Sequence, residues 1–311
     1  MPPTCLRLPP PHRFLLNRST LRAAALAGAL SVAALAGCSS LDEQQRRWIF
    51  QPAKETPWAG PDATAGMQDV WIDFRSPVAE GAPVRLHGVW LPQADEAQAP
   101  LLLYLHGARW DVRGSAPRIR RMHELGFSVL AIDYRGFGRS TDALPSEATA
   151  DEDARAAWDW LAARQPQAPR FIFGHSLGGA IATRLAAEVG DQATGLMLEN
   201  TFTSIRDVFA SFKWGWLPVG PLITQRFDSS ERAARLRLPT LVVHGSADAL
   251  IPPALGQRLY ERIPATRKKW VLVEGGTHHS THSLAQAQYR AALDELFGLA
   301  AMGRAATTLA R

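Results

Sequence analysis

An α/β architecture, a mostly parallel sheet with helices on both faces, is predicted by three observations. From residue 84 onward, short apolar β-type runs alternate with segments of helical pattern. One run, Phe171-Ile172-Phe173, ends in Gly174-His175-Ser176-Leu177-Gly178 and passes straight into a helix-forming stretch. Two later runs each end in a short loop, one carrying Asp248 and the other His278. Strands separated by helices need crossovers, and right-handed crossovers lay helices on both faces of one sheet.

The first 37 residues stand apart from that pattern. Arg7, Arg13, Arg18 and Arg22 precede an uncharged run from Ala23 to Gly37, and no acid occurs before Asp42. A basic start and a short apolar run make a secretory signal, too short to span a bilayer stably. Its end, Leu35-Ala36-Gly37-Cys38-Ser39, resembles a bacterial lipobox, which implies cleavage after residue 37 and diacylation of Cys38. Ser39, rather than Asp, then points to the outer membrane, facing the periplasm. The formal charge of +5 contains those four arginines, so the chain from Cys38 onward carries only about +1. No long basic run interleaves with aromatics, so nucleic acid is not an expected partner. The only cysteines are Cys5 and Cys38, which excludes an internal disulfide and a thiolate metal site in the mature domain.

Residues 38–65 are polar and carry Pro52, Pro57 and Pro61, which reads as a tether. A domain over 66–300 follows. Val70–Phe74 and Val84–Leu91 alternate well enough for an antiparallel pair. Leu101–Leu105 is a buried strand, Pro117–Leu125 a helix and Phe127–Asp133 a strand. Asp151–Arg164 is a helix, Phe171–Phe173 a strand, Ile181–Val189 a helix and Gly195–Leu198 a strand. Thr240–His244, Ala254–Ile263 and Lys269–Glu274 read strand, helix, strand, and Leu284–Leu299 is a terminal amphipathic helix. Residues 301–311 form a tail. The segment 201–237, between the sixth and seventh strands, is too long for a simple crossover and reads as a short cap. Its Phe212, Trp214 and Trp216 are the expected substrate-binding residues.

Chemistry concentrates at Ser176. A serine forced onto a tight strand-to-helix turn needs nearly side-chain-free neighbours, which Gly174 and Gly178 supply. The helix that follows aims its positive end at the hydroxyl. A serine hydroxyl needs a base within hydrogen-bond reach, and the base needs an acid to fix its tautomer. Beyond such an elbow the acid comes before the histidine in the chain. Asp248 fits the acid, since it lies in the loop after Thr240–His244, while Asp228 sits inside the cap. His278 fits the base, in the loop one strand further on, with His279 and His282 as competitors. A zinc site on these three histidines lacks any H-E-x-x-H pattern, so neither metal nor cofactor is expected. The oxyanion donors are expected to be the amides of Leu177 and Ala108. His106 reads as a structural histidine.

Further motifs complete the set: D-Y-R-G-F-G-R-S at 133–140, E-N-T-F-T-S at 199–204, S-A-D-A-L-I-P at 246–252 and G-G-T-H-H-S at 275–280. Together with the elbow and His106-Gly107, these resemble the α/β-hydrolase superfamily over about Val84 to Leu299. Within it the chain looks like the fungal bud-emergence-type proteins and their animal α/β-hydrolase-domain relatives. The resemblance implies an α/β-hydrolase fold and a triad of Ser176, Asp248 and His278. Two departures bear on the substrate. Relatives often have H-G-N where this chain has Ala108 and Arg109, and H-N-D where it has His278-His279-Ser280. The expected activity is hydrolysis of a small-molecule or lipid-like ester or thioester by a lipid-anchored enzyme. A peptidase or amidase of the same fold is the alternative within enzymes, and an envelope lipoprotein using the fold as a binding module the alternative outside them.

Overall fold

The computed structural model describes residues 39–213 and 215–299. The signal, Cys38, Trp214 and the tail 301–311 lie outside the described residues. Eight strands form one sheet in the order β1-β2-β4-β3-β5-β6-β7-β8. They are β1 Gln68–Ser76, β2 Ala82–Leu91, β3 Leu101–Leu105, β4 Ser128–Ile132, β5 Arg170–His175, β6 Gly195–Glu199, β7 Thr240–Gly245 and β8 Lys268–Val273. β2 runs antiparallel to β1 and β4, and every pairing from β4 to β8 is parallel.

The period-2 geometry of a strand decides which side chain meets which helix. Leu101, Leu103 and Leu105 join Ile172, Leu196, Leu198 and Val242 in one core. That core is closed by helices α3 (Glu147–Arg164), α4 (Leu177–Val189) and α7 (Pro253–Arg262). Leu102, Tyr104, Phe171, Phe173, Met197 and Leu241 point the other way. They meet α2 (Val112–Glu124) and the terminal helix Gln286–Phe297. Central strands buried on both sides therefore read as unbroken apolar runs, as a parallel sheet requires.

The stretch read as a tether is instead built into the domain, for the compact unit begins at Gln44. Residues 44–50 are helical (α1) and end on Phe50, which is fully buried against the ring of Phe227 at 5.6 Å. The Gln45 amide donates to the Leu222 carbonyl (2.7 Å), and the Thr56 hydroxyl donates to the buried Asp111 carboxylate. Polar composition and three prolines hid this docking, because one apolar anchor with backbone partners is enough to hold a short segment.

Helix boundaries also move. α2 starts at Val112 rather than Pro117, because Asp111 caps it by accepting from the Arg113 amide (3.2 Å). Pro117 lies in the second turn of that helix. α3 starts four residues earlier than expected, at a capping box on Ser146. The terminal helix is split into Thr281–Leu284 (α8) and Gln286–Phe297 (α9), and ends at Gly298 with φ 68°. The cap between β6 and β7 holds α5 (Ile205–Ser211), a turn of 3-10 helix and α6 (Ser229–Ala233).

Candidate active site

Ser176 sits between β5 and α4 with φ 56° and ψ −122°, a conformation that side chains rarely adopt. Packing explains the glycines around it. A Cβ on Gly174 would come within 2.3 Å of the Gly178 carbonyl oxygen, and one on Gly178 within 2.1 Å of the Leu105 carbonyl oxygen. Neither position can hold a side chain without parting α4 from the sheet. The strained turn is tied down by its neighbour strand. The Ser176 amide donates to the Glu199 carbonyl (3.0 Å), and the Thr201 hydroxyl donates to the Ser176 carbonyl (2.8 Å).

The three residues picked out from the sequence meet in space. The Ser176 hydroxyl lies 3.0 Å from His278 Nε2, and His278 Nδ1 lies 2.8 Å from Asp248 Oδ2. A carboxylate can only accept, so Nδ1 carries the proton and Nε2 is left free to accept from the serine. Asp248 is buried, and its Oδ1 accepts from the amides of Leu250 and Ile251, both at 2.9 Å. Burial pushes this carboxyl upward. The imidazoles of His244 and His278 and the Ile251 amide more than offset that, holding it well below the usual carboxylate range. Asp248 is thus an anion throughout the neutral range.

Leu177 is the first residue of α4, and Ala108 lines the pocket in front of Ser176. Gly107 backs the serine so closely that an added Cβ would lie 3.1 Å from the Ser176 Cβ. His106 is buried, with Nδ1 2.6 Å from the Gly107 carbonyl and its ring on Tyr134, which agrees with a structural role. Asp228 caps α6 by accepting from the Glu231 amide and is not part of the site.

The sequence reading missed how the base is held. Arg118, from α2, donates to Glu199 Oε1 (2.9 Å) and to the carbonyls of His278 and His279, each at 3.2 Å. The Tyr289 hydroxyl donates to the other Glu199 oxygen at 2.5 Å. Asn200 donates to the Thr277 carbonyl (3.1 Å) and accepts from the Gly245 amide (3.1 Å), so it links the base loop to the acid strand. Glu199, Asn200 and Thr201 therefore bind three different parts of the constellation. Beside them His175 is neutral, driven well below its ordinary range by burial first, then by Arg118 and His278. His282 is held down to about 4, again mainly by burial. Among the described residues no group of His, Cys, Asp or Glu is arranged to hold a metal ion.

The pocket over Ser176 has a volume of about 380 Å³. Its aromatic wall is Trp58 and Trp110, packed edge to face at 6.1 Å, with Leu250 opposite in the acid loop. Phe212 and Trp216 do not line it. They are 46% and 72% exposed, on the outer surface of the cap, and Trp214 lies outside the described residues. Close spacing of aromatics marked the cap, but the wall comes from two residues 52 positions apart, which only the docking of 44–65 brings together. Trp58→Ala and Trp110→Ala should each flatten the dependence of kcat/KM on acyl length, whereas Trp216→Ala should leave it unchanged. Each methylene buried there is worth about 0.8 kcal/mol. An acyl-length profile altered only by Trp216→Ala would return the acyl site to the cap.

Known proteins resemble this chain at several levels of likeness. The sequence profile of the family described as serine aminopeptidase, S33, matches residues 96–229 and 227–283. An uncharacterized protein of Mycobacterium tuberculosis is 35% identical over 244 residues, 78% of this chain and 83% of that protein. The lysophosphatidylserine lipase ABHD12 of Danio rerio is 33% identical over 190 residues, 55% of this chain; the match spans about half the lipase, 49%. Among solved structures, an esterase of Pyrococcus furiosus has a TM-score of 0.63 at 18% identity, over 80% of this chain and 98% of its own. Est1E from Butyrivibrio proteoclasticus, with ferulic acid bound, has a TM-score of 0.59 at 18% identity, over 74% and 99%.

Proposed function

The chain belongs to the family described as serine aminopeptidase, S33, within the α/β-hydrolase superfamily, and is a serine hydrolase; from that premise we propose that it cleaves carboxylic ester or thioester bonds through an acyl-enzyme intermediate. The observation that carries the reading is the Ser176–His278–Asp248 relay, with links of 3.0 and 2.8 Å, opening onto a pocket walled by two tryptophans. His278 Nε2 takes the hydroxyl proton as Ser176 Oγ attacks the carbonyl carbon. Asp248 stabilises the imidazolium, and the amides of Leu177 and Ala108 donate to the oxyanion. The tetrahedral intermediate collapses, and the departing alcohol or thiol leaves with the proton from His278. Water then gives a proton to His278 and attacks the acyl carbon, releasing the carboxylic acid and restoring Ser176.

An ester is favoured over a peptide by what the pocket lacks. An aminopeptidase needs an anion to hold the substrate's ammonium group, and the described residues lining this pocket include neither Asp nor Glu. Its apolar wall suits acyl or aromatic groups, in keeping with lipase and esterase among the names of similar proteins. A fluorophosphonate probe should label the purified protein on Ser176, and a panel of p-nitrophenyl esters should be turned over by the same preparation. Turnover of peptide amides without turnover of esters would reverse the preference, and no labelling would remove the enzyme reading of Ser176.

The lipobox at 35–39 supports the further reading that Cys38 anchors the enzyme in the outer membrane, facing the periplasm. Among the described residues no helix is long and apolar enough to cross a membrane. One acyl chain binds a bilayer only marginally, so stable anchoring needs the two or more chains that a processed Cys38 carries. Cys38→Ser should give an unprocessed precursor that incorporates no labelled palmitate. An unmodified Cys38 by mass spectrometry, in protein recovered from the aqueous fraction, would remove the anchor.

A further inference from the structure

We propose that Arg109 makes this site selective for esters that carry an anionic group, carboxylate or phosphate, within reach of the pocket mouth while their apolar part lies on Trp58 and Trp110. The inference rests on the serine-hydrolase reading above and adds the charge of the substrate. Three independent observations point the same way.

The first is backbone geometry. Arg109 has φ 84°, a left-handed conformation that costs a long side chain about 1–3 kcal/mol and that glycine or asparagine would occupy more easily. Its amide donates to the Phe50 carbonyl at 2.9 Å, so the docked end of α1 holds the arginine in that posture. The second is charge pairing. Arg113, Arg118, Arg135 and Arg139 each meet a carboxylate. Arg109, exposed at the pocket rim, meets none among the described residues.

The third is the lining as a whole. Arg118 is neutralised by Glu199, so Arg109 is the uncompensated guanidinium of the lining, and among the described residues no lining residue is acidic. Asp248 is buried beneath His278 and engaged there. The His279 imidazole is held below its ordinary range by burial first, then by His278 and Arg118; Asp248 pulls it up, and Arg109 adds a smaller downward push. A cation beside an apolar wall, with no anion of its own, recognises an amphiphile with a negative head.

The test compares paired esters that differ in charge. One pair places the anion on the acyl side, p-nitrophenyl hemiglutarate against p-nitrophenyl valerate. The other places it on the leaving side, a lysophosphatidylglycerol against the monoacylglycerol with the same chain. In at least one pair the wild-type enzyme should favour the anionic member in kcat/KM, and the pair that responds tells which side of the scissile bond Arg109 reads. Arg109→Asn removes the charge but tolerates the backbone angle, and should cut that preference roughly fivefold. Arg109→Lys should keep part of it, Arg109→Glu should invert it, and 0.5 M salt should compress it in the wild type, where the Debye length falls to about 4 Å. An anionic-to-neutral ratio unmoved by Arg109→Asn in both pairs, while turnover still depends on Ser176, overturns this proposal and leaves the hydrolase reading standing. Absence of Ser176-dependent turnover in all four esters removes both.

Discussion

Ser176→Ala should lower kcat for p-nitrophenyl butyrate by on the order of 10⁵-fold or more while leaving the thermal midpoint nearly unchanged. The change deletes one oxygen whose hydrogen bond is to His278 and keeps the Cβ, so the strained turn at φ 56° is no worse for alanine than for serine. Loss of one such hydrogen bond costs about 1 kcal/mol in stability. The chemistry, by contrast, loses its nucleophile, and triad members act as a unit. His278→Ala should therefore fall about as far as Ser176→Ala, with no further loss in the double variant. His279→Ala should stay within about tenfold of wild type. The His279 side chain faces out at the pocket rim, and it is the His279 backbone carbonyl that Arg118 uses. A Ser176→Ala enzyme with a few per cent of wild-type turnover, or equal mild losses for both histidine variants, would move the reaction to another group.

The sheet and the reacting residues were legible in the sequence for one reason: each is fixed by a constraint that acts within a few residues. Buried central strands must be apolar at every position, and Leu101–Leu105 or Leu196–Leu198 can be little else. The elbow needs glycine on both sides of Ser176 because backbone oxygens from adjoining elements come too close for a Cβ. Asp248 and His278 follow strand ends directly, so chain order alone placed them at one edge. What the sequence hid depends on contacts between distant segments. Trp58 and Trp110 form one wall only because Phe50 and Thr56 dock the early segment near Arg109 and Asp111. Exposed aromatics such as Trp216 carry the same local pattern as a substrate wall, and nothing within the cap distinguishes the two. Helix starts failed where a cap outranked a propensity, as at Asp111 over Pro117.

Arg118→Ala should cost about 3–5 kcal/mol of folding stability, because it strands the fully buried Glu199 carboxylate without its cation. Burial works against the guanidinium's own charge, yet Glu199 more than offsets this and keeps Arg118 protonated. A purely structural ion pair and one that positions the base make different predictions once stability is restored. Replacing both partners with neutral groups of similar shape, as in Arg118→Met with Glu199→Gln, removes the stranded charge and should recover most of the stability. It does not restore the donors to the His278 and His279 carbonyls, which fix the backbone from which the base projects. Misplacing a catalytic group by about 1 Å can cost roughly 10²-fold, so the double variant should fold well and turn over slowly. Arg118→Lys keeps the charge but not the fork that reaches Glu199 and both carbonyls together. It should therefore sit between, with more of the stability than of kcat. Denaturant titration beside kcat on one neutral ester separates the cases. A double variant with wild-type kcat would reduce Arg118 to a structural cation, while slow turnover in a stable protein would establish it as the residue that holds His278 over Ser176.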